Sequence, residues 1–466
     1  MTRILKAAPP KAPPSAAIRP EWLVMRTFLY LILAGTAVLM LPLSHPGGHW
    51  MDPVTALFTA TSATCVTGLT VADPGTAFNL FGQIVILLLI QIGGLGLMTM
   101  ATFLLLLVGK RMSMSDESAM LSSLGLGRAS GLGLVMKKVI LFTILFEGAG
   151  TAILAWRFAT FHGMPAGRAV YVGLFHCVSA FCNAGLSLFP DNLIGYRDDP
   201  WIVLTLAGLL IAGGLGFIVW HELTEIKFWR IKTLRGRLSL HTRLVLFSTA
   251  ALILGGFLGF LVLEWRHTLA PLSIPHRFLA AFFQGVTPRT AGFNVVDMSQ
   301  VSPPTLFMTI GLMFIGGAPC STAGGVKVTT MVVLALALYT MIRGRRDVFF
   351  ANRTLPDTAV REGLAVFVLA LIQVLVVFGI LLLTEDLTRF AGRFGAPDAL
   401  LFETVSAFGT VGLSTGITPQ LSVWGQLALV AMMFLGRLGP VTLASIIGRK
   451  AIKQQVRYPE EYVLLG

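Results

Sequence analysis

Eight stretches of about 20 or more predominantly apolar residues divide the chain, near 22–44, 79–108, 138–160, 200–221, 243–265, 303–342, 362–384 and 422–448. At about 1.5 Å per residue each is long enough to cross a hydrocarbon core of about 30 Å as a helix. Between the two stretches of each consecutive pair lies a further semi-apolar segment of about 10–15 residues. That is too short to cross and has the length of a re-entrant half-helix. The pattern predicts an all-α polytopic membrane protein made of four helix–pore loop–helix units with eight transmembrane spans.

The short segments repeat. TATSATCVTGLT (59–70), HCVSAFCNAGLS (176–187), FQGVTPRTAGFN (283–294) and ETVSAFGTVGLS (403–414) align without gaps on Gly68, Gly185, Gly292 and Gly412, with Phe58, Phe175, Phe282 and Phe402 ten residues earlier in each. The register continues downstream through QIGGLGL (91–97), IAGGLGF (211–217), FIGGAPC (314–320) and FLGRLGP (434–440), aligned on Gly93, Gly213, Gly316 and Gly436. Single glycines in membrane helices serve packing. Four in register, twice over, mark tandem repeats. The expected organisation is an N-terminal tail (1–21), repeat one (22–109), repeat two with its preceding linker (110–222), repeat three (223–342), repeat four (343–448) and a C-terminal tail (449–466).

Composition agrees with this reading. Hydrophobic residues make up 55% of the chain and charged residues 12%, which excludes a soluble enzyme of this length. The net charge of +13 would suggest nucleic acid in a soluble protein. Here the Lys and Arg concentrate in both tails and in the loops after the second, fourth and sixth spans, so topology accounts for the excess without a nucleic-acid partner, and both termini are expected in the cytoplasm. Cys65, Cys177, Cys182 and Cys320 form no CxxC pair and read as buried thiols. The N-terminus lacks the apolar core of a signal peptide.

A half-helix beginning near Phe58 and ending near Val66 stops part-way through the bilayer, and the return through Thr67-Gly68 leaves backbone carbonyls without helical partners. Coordination of a dehydrated cation is the natural use of such carbonyls. Glycine permits the backbone conformation that turns consecutive carbonyls the same way, and the half-helix directs the negative end of its dipole inward. Four loops around a pseudo-fourfold axis would make one selectivity filter from Val66-Thr67-Gly68, Asn183-Ala184-Gly185, Thr290-Ala291-Gly292 and Thr410-Val411-Gly412. The last is close to the TVGYG filter of potassium channels. The 40 residues of 303–342 would be about twice the bilayer's thickness as one helix and must break, at Gly316, Gly317, Pro319, Gly324 and Gly325. Arg437 stands where the other repeats have Gly94, Gly214 and Gly317, and a guanidinium at that depth should face a cavity or a ring of carbonyls.

Four pairs of spans, four single-glycine pore loops and GGAPCSTAGGVKVTT (316–330) together resemble the Trk/Ktr/HKT superfamily of potassium transporters, nearest the KtrB-type ion-translocating subunit, over roughly residues 20–466. The resemblance implies potassium uptake across a bacterial cytoplasmic membrane, channel-like or sodium-dependent, with potassium at the filter carbonyls and no organic cofactor on this chain. It implies an intramembrane gate over 316–325 paired with Arg437. It also implies a homodimer and control by a cytosolic KtrA-type nucleotide-binding ring, since the cytoplasmic loops carry no GxGxxG or Walker sequence; the tail YPEEYVLLG (458–466) resembles the family's dimer-contacting end. Sodium-preferring HKT proteins carry Ser at the first filter glycine, where Gly68 stands here. A sodium/potassium uniporter of HKT-like selectivity stays open as an alternative. A membrane-embedded enzyme is a weaker one, because no HExxH, paired carboxylate or Ser/His constellation falls at one depth. Glu147, inside the third span, and Lys327 carry no assigned role; His176 is expected to be packed or hydrogen-bonded, and Asn183 to brace its loop.

Overall fold

The computed structural model describes residues 20–96, 132–225 and 238–439, apart from 346, 352 and 391–393. Among these the fold is helical, with one small antiparallel hairpin, Phe349–Phe350 against Arg353–Thr354. The tails, 97–131, 226–237 and the end of the last apolar stretch lie outside the described residues.

The helices follow one order four times. A first helix (Pro20–Met40, Leu132–Phe161, Leu240–Glu264, Asp357–Thr384) leads to a re-entrant helix (Pro53–Thr64, Ala166–Phe181, Ile274–Val286, Ala396–Gly409). A second helix follows (Leu80–Gly94, Pro200–Leu215, Pro303–Phe314, Val423–Leu438). Three first helices contain stretches long and apolar enough to cross a bilayer singly, Lys137–Phe161, Leu240–Glu264 and Asp357–Thr384.

A proline marks the start of each re-entrant helix: Pro53, Pro275 and Pro397 lie in the first turn, where the fixed φ suits the helix and the missing N–H costs nothing, and Pro165 stands just before it. The first is capped by the Asp52 carboxylate, which accepts from Thr55 N at 2.9 Å. It therefore begins five residues before Phe58, where the apolar pattern alone placed its start. The second helices start on Asn79, Asp199 and Ser422, whose side chains accept from Gly82, Trp201 and Gly425 N–H groups, and on Ser302.

Three of the second helices end within one residue of the same place in the repeat, at Gly94, Leu215 and Leu438, and the third stops earlier, at Phe314. The stretch 200–221, expected as one span, is two helices bent by 96° at Gly216, which takes φ +85°. Gly96 and Gly439 hold the equivalent positive φ after Gly94 and Leu438. The expectation of a single broken span, at 303–342, is corrected: breaks recur through the repeats, because the GGLG-type motif supplies a backbone that can leave the helix.

Burial is arranged for a bilayer. Small polar residues such as Thr59, Ser62, Thr67, Ser179, Thr404 and Ser406 sit fully inside, while Tyr30, Leu141, Phe247, Val262 and Leu383 project outward. Phe58, Phe175 and Phe402 are buried and Phe282 half-buried, so the repeated phenylalanines form the packing between re-entrant helices and their surroundings.

Candidate functional site: four glycine loops in a closed ring

After each re-entrant helix the chain alternates backbone handedness. Val66, Asn183, Thr290 and Thr410 take φ of 57°, 61°, 66° and 48°, and two residues later Gly68, Gly185, Gly292 and Gly412 take 95°, 68°, 72° and 89°. The intervening Thr67, Ala184, Ala291 and Val411 stay out of that region. Alternation of this kind turns successive carbonyls toward one side of the strand. Left-handed φ costs a non-glycine residue about 1–3 kcal/mol and is most anomalous for β-branched Val66, Thr290 and Thr410. Such strain persists only where neighbours over-determine the backbone.

The determining bonds come from the re-entrant helices. Val66 N donates to Ala63 O (3.2 Å), Thr67 N to Ser62 O (2.8 Å) and Gly68 N to Ser62 Oγ (3.0 Å). The fourth loop repeats them: Thr410 N to Ala407 O (3.2 Å), Val411 N to Ser406 O (2.8 Å) and Gly412 N to Ser406 Oγ (3.1 Å). In the second loop Ala184 N donates to Ser179 O (2.7 Å) and Ser179 Oγ to Leu186 O (2.8 Å). The third loop has Val286 in place of the serine, and Thr287 Oγ1 donates to Phe293 O instead.

The loops close on one another in chain order. A Cβ on Gly68 would strike the Ala184 carbonyl, one on Gly185 the Gly292 backbone, one on Gly292 the Val411 carbonyl and one on Gly412 the Thr67 carbonyl. No side chain fits at any of the four. Loops two and three are also tied by side chains: the Asn183 carboxamide accepts from Thr290 Oγ1 (3.2 Å) and donates to Ala180 O (3.1 Å) and Leu210 O (3.2 Å).

Beneath the ring, the segment between Pro303–Phe314 and Val328–Ile342 is an ordered loop. Gly316 N donates to Val326 O (2.8 Å), Ala318 N to Gly214 O (3.0 Å), Phe217 N to Cys320 O (3.1 Å) and Val328 N to Gly317 O (3.1 Å). Gly324 lies against Thr410 and Gly409, and Gly325 against Gly409, so the loop reaches the foot of the fourth glycine segment. Arg437, 5% exposed, donates to Thr322 O on this loop and to Gly93 O at the end of the first repeat's second helix. Gly317 is packed against Gly214 and Ala323. Lys327 donates to Ala323 O (2.6 Å).

A family model for TrkH, described as a cation transport protein, matches residues 16–455. The chain belongs to the TrkH family of cation transport proteins. Within this family's range, the Ktr system potassium uptake protein B of Vibrio alginolyticus is 38% identical over 95% of this chain and 94% of its own length. The protein of the same name from Bacillus subtilis is 39% identical over 96% of each chain. The potassium/sodium uptake protein NtpJ of Enterococcus hirae is 36% identical over 96% of this chain and 98% of its own. The crystal structure of the potassium transporter TrkH from Vibrio parahaemolyticus superposes with a TM-score of 0.69 at 19% identity, covering 93% of this chain and 86% of that one, which carries the TrkH fold across.

Several site residues escape the sequence reading. The loop-bracing serines Ser62, Ser179 and Ser406 occupy the fourth place of three aligned repeats, a signal present in the alignment. Glu403 stands at the first place of the fourth, where it accepts from Ser414 Oγ (2.6 Å), Thr415 N (3.0 Å) and Thr418 Oγ1 (2.8 Å). Arg289, 8% exposed behind the third loop, donates to Thr249 Oγ1 (3.3 Å) and had no pattern to announce it. His176 is held by Val172 O (2.8 Å) and Ser187 Oγ (3.0 Å). Glu147 lies against the Cys182 thiol at 4.0 Å, directly behind the second filter segment.

Proposed function

We propose that this TrkH-family chain takes up potassium across the bacterial cytoplasmic membrane, through a filter formed by the carbonyls of 66–68, 183–185, 290–292 and 410–412. The observation that carries the reading is the closed ring of four glycine segments with the same alternation of backbone handedness. A ring of carbonyls facing one axis replaces a cation's hydration shell without a net charge of its own. The four repeats are then eight crossings around a pseudo-fourfold pore with both termini in the cytoplasm, and the two relatives named as Ktr potassium uptake proteins support potassium as the cargo.

In this reading the loop 316–325 blocks the inner side of the filter, and Arg437 holds it there by its bond to Thr322 O. Nucleotide control comes from a cytosolic KtrA-type ring acting on a homodimer of this chain. Sodium is a second cargo or a coupling ion, a reading favoured by the 36% identity to a protein named for potassium and sodium uptake.

Rubidium uptake into proteoliposomes holding the purified chain tests the function. Uptake competed by potassium is expected, with weaker competition by sodium. If neither the wild-type chain nor one with 316–325 shortened passes any monovalent cation, the proposal fails.

A further inference from the structure

The first place of the four aligned repeats is occupied by residues of unlike chemistry: Thr59, His176, Phe283 and Glu403. Two of them brace the residue that follows the filter by the same reach of eleven positions. His176 Nε2 meets Ser187 Oγ at 3.0 Å, and Glu403 Oε1 accepts from Ser414 Oγ at 2.6 Å. The histidine donates its Nδ1 proton to Val172 O at 2.8 Å. Thr59 spends its hydroxyl on Thr55 O at 2.9 Å.

Glu403 differs from all three. It is fully buried, and every group around it donates: Ser414 Oγ, Thr415 N and Thr415 Oγ1 to Oε1, Thr418 Oγ1 to Oε2. The Thr415 N–H can only donate, and the three hydroxyls are placed to donate, so both oxygens of a carboxylate are met here as acceptors. Among the described residues no Lys, Arg or His forms an ion pair with it. A buried carboxylate without a cationic partner is costly unless something neutralises it. The filter segment 410–412 lies two residues from Ser414, on the side of the ring away from Arg437 and the loop 316–325.

We infer that Glu403 supplies a fixed negative charge behind the outer half of the filter, and that the cation held by the outer carbonyls is its counter-ion. Glu403 is thus a positioning and affinity-setting residue. It fixes Ser414–Thr418 at the outer mouth and strengthens monovalent-cation binding there, while the Arg437 guanidinium sits at the inner side of the same repeat. The ring is then electrically polar along its axis, negative outside and positive inside, which favours cation capture from outside. This rests on the transport reading above.

The test is rubidium uptake against external rubidium concentration for wild type, Glu403→Gln, Glu403→Asp and Glu403→Ala in proteoliposomes. Glutamine keeps the size and the acceptor facing Ser414 and Thr415, and the Thr418 hydroxyl can turn to accept from the new amide. At an effective dielectric of about 20, losing a unit charge about 10 Å from a bound cation changes its affinity about tenfold. Glu403→Gln should therefore raise KM about tenfold with the maximal rate within about twofold, and Glu403→Asp should stay near wild type. A purely structural brace predicts wild-type KM for Glu403→Gln and loss of activity only for Glu403→Ala, and that result overturns the inference. If Glu403→Gln does not reach the membrane folded, the pair Glu403→Asp and Glu403→Asn decides: a KM about tenfold higher for Glu403→Asn than for Glu403→Asp supports it, and equal KM values overturn it. Failure of the wild-type chain to pass cations removes the transport reading itself, whereas normal wild-type uptake with an indifferent Glu403→Gln removes only the charge.

Discussion

Replacing Arg437 by glutamine isolates one bond of the proposed gate. The guanidinium joins two carbonyls that belong to different repeats, Thr322 O on the loop and Gly93 O at the end of a helix. Moving the loop aside requires breaking the first of these while the second can persist. A hydrogen bond from a charged donor contributes about 1.5–3 kcal/mol net. At about 1.4 kcal/mol per factor of ten, its loss raises the population of the displaced loop about ten- to a hundredfold. The loop does not fall apart, because the bonds of Gly316 to Val326, Ala318 to Gly214 and Cys320 to Phe217 are untouched. The assay is rubidium efflux from preloaded proteoliposomes without any regulatory partner, read as an initial rate. Arg437→Lys separates bond from charge, since lysine keeps the charge but lacks the two-pronged geometry that spans Thr322 and Gly93. Leak from Arg437→Lys lying between wild type and Arg437→Gln is expected. An Arg437→Gln leak within about twofold of wild type would mean that the Thr322 bond does not hold the loop.

Gly68→Ser places a side chain at φ +95° against the Ala184 carbonyl and should pry loops one and two apart, reducing discrimination against sodium in rubidium-uptake competition; unchanged discrimination would remove Gly68 from the filter. Gly436→Ala drives a methyl into the Phe408 carbonyl at the end of the fourth re-entrant helix, and its overpacking cost of about 1–3 kcal/mol exceeds the helix-propensity gain of about 0.5–1 kcal/mol, so the thermal midpoint in detergent should fall. Burial alone would raise the Asp199 carboxyl, but bonds from Arg157 (2.6 Å), His162 (3.0 Å) and Trp201 N–H, with the Arg157 charge, hold it below its ordinary 3.8. A depressed folded value means that this stabilisation is complete above 3.8 and is lost as pH falls through the folded value; thermal melts of wild type should show that acid slope, and Asp199→Asn should flatten it.

The glycine register was legible because each glycine answers a backbone need that no other residue meets, so it survives between repeats whose other positions have drifted. Gly68, Gly185, Gly292 and Gly412 in sequence are the same four that meet in space. The left-handed residues two places earlier were not legible as such. Val66, Thr290 and Thr410 are β-branched and disfavour that conformation, and only the bonds arriving from the re-entrant helices impose it. Hydropathy was equally blind to the ends of the second helices, since Gly94, Leu215 and Leu438 sit in apolar runs that read the same whether the helix continues or bends. Arg437 stood out by its depth, but its partner Gly93 lies 344 residues away, and no local pattern could name it.

The third repeat departs from the other three where the loop beneath the ring begins. Gly93, Gly213 and Gly436 each press against the last carbonyls of their own re-entrant helix, Thr64, Phe181 and Phe408, and so pin three of the second helices to the filter. The equivalent place in repeat three is Pro288, and Gly316 packs instead against Gly324 of its own loop. Freed from the filter, the third chain can run across beneath it, bonding Gly214 of the second repeat, meeting Gly409 and Thr410 of the fourth, and accepting from Arg437. The loop is held by a backbone bond to Gly214, beside the helix end at Leu215, and by the Arg437 side chain, beside the helix end at Leu438. A displacement of either helix end therefore acts on the loop directly, and that is the route by which a partner on the cytoplasmic side would reach the proposed gate without touching the filter.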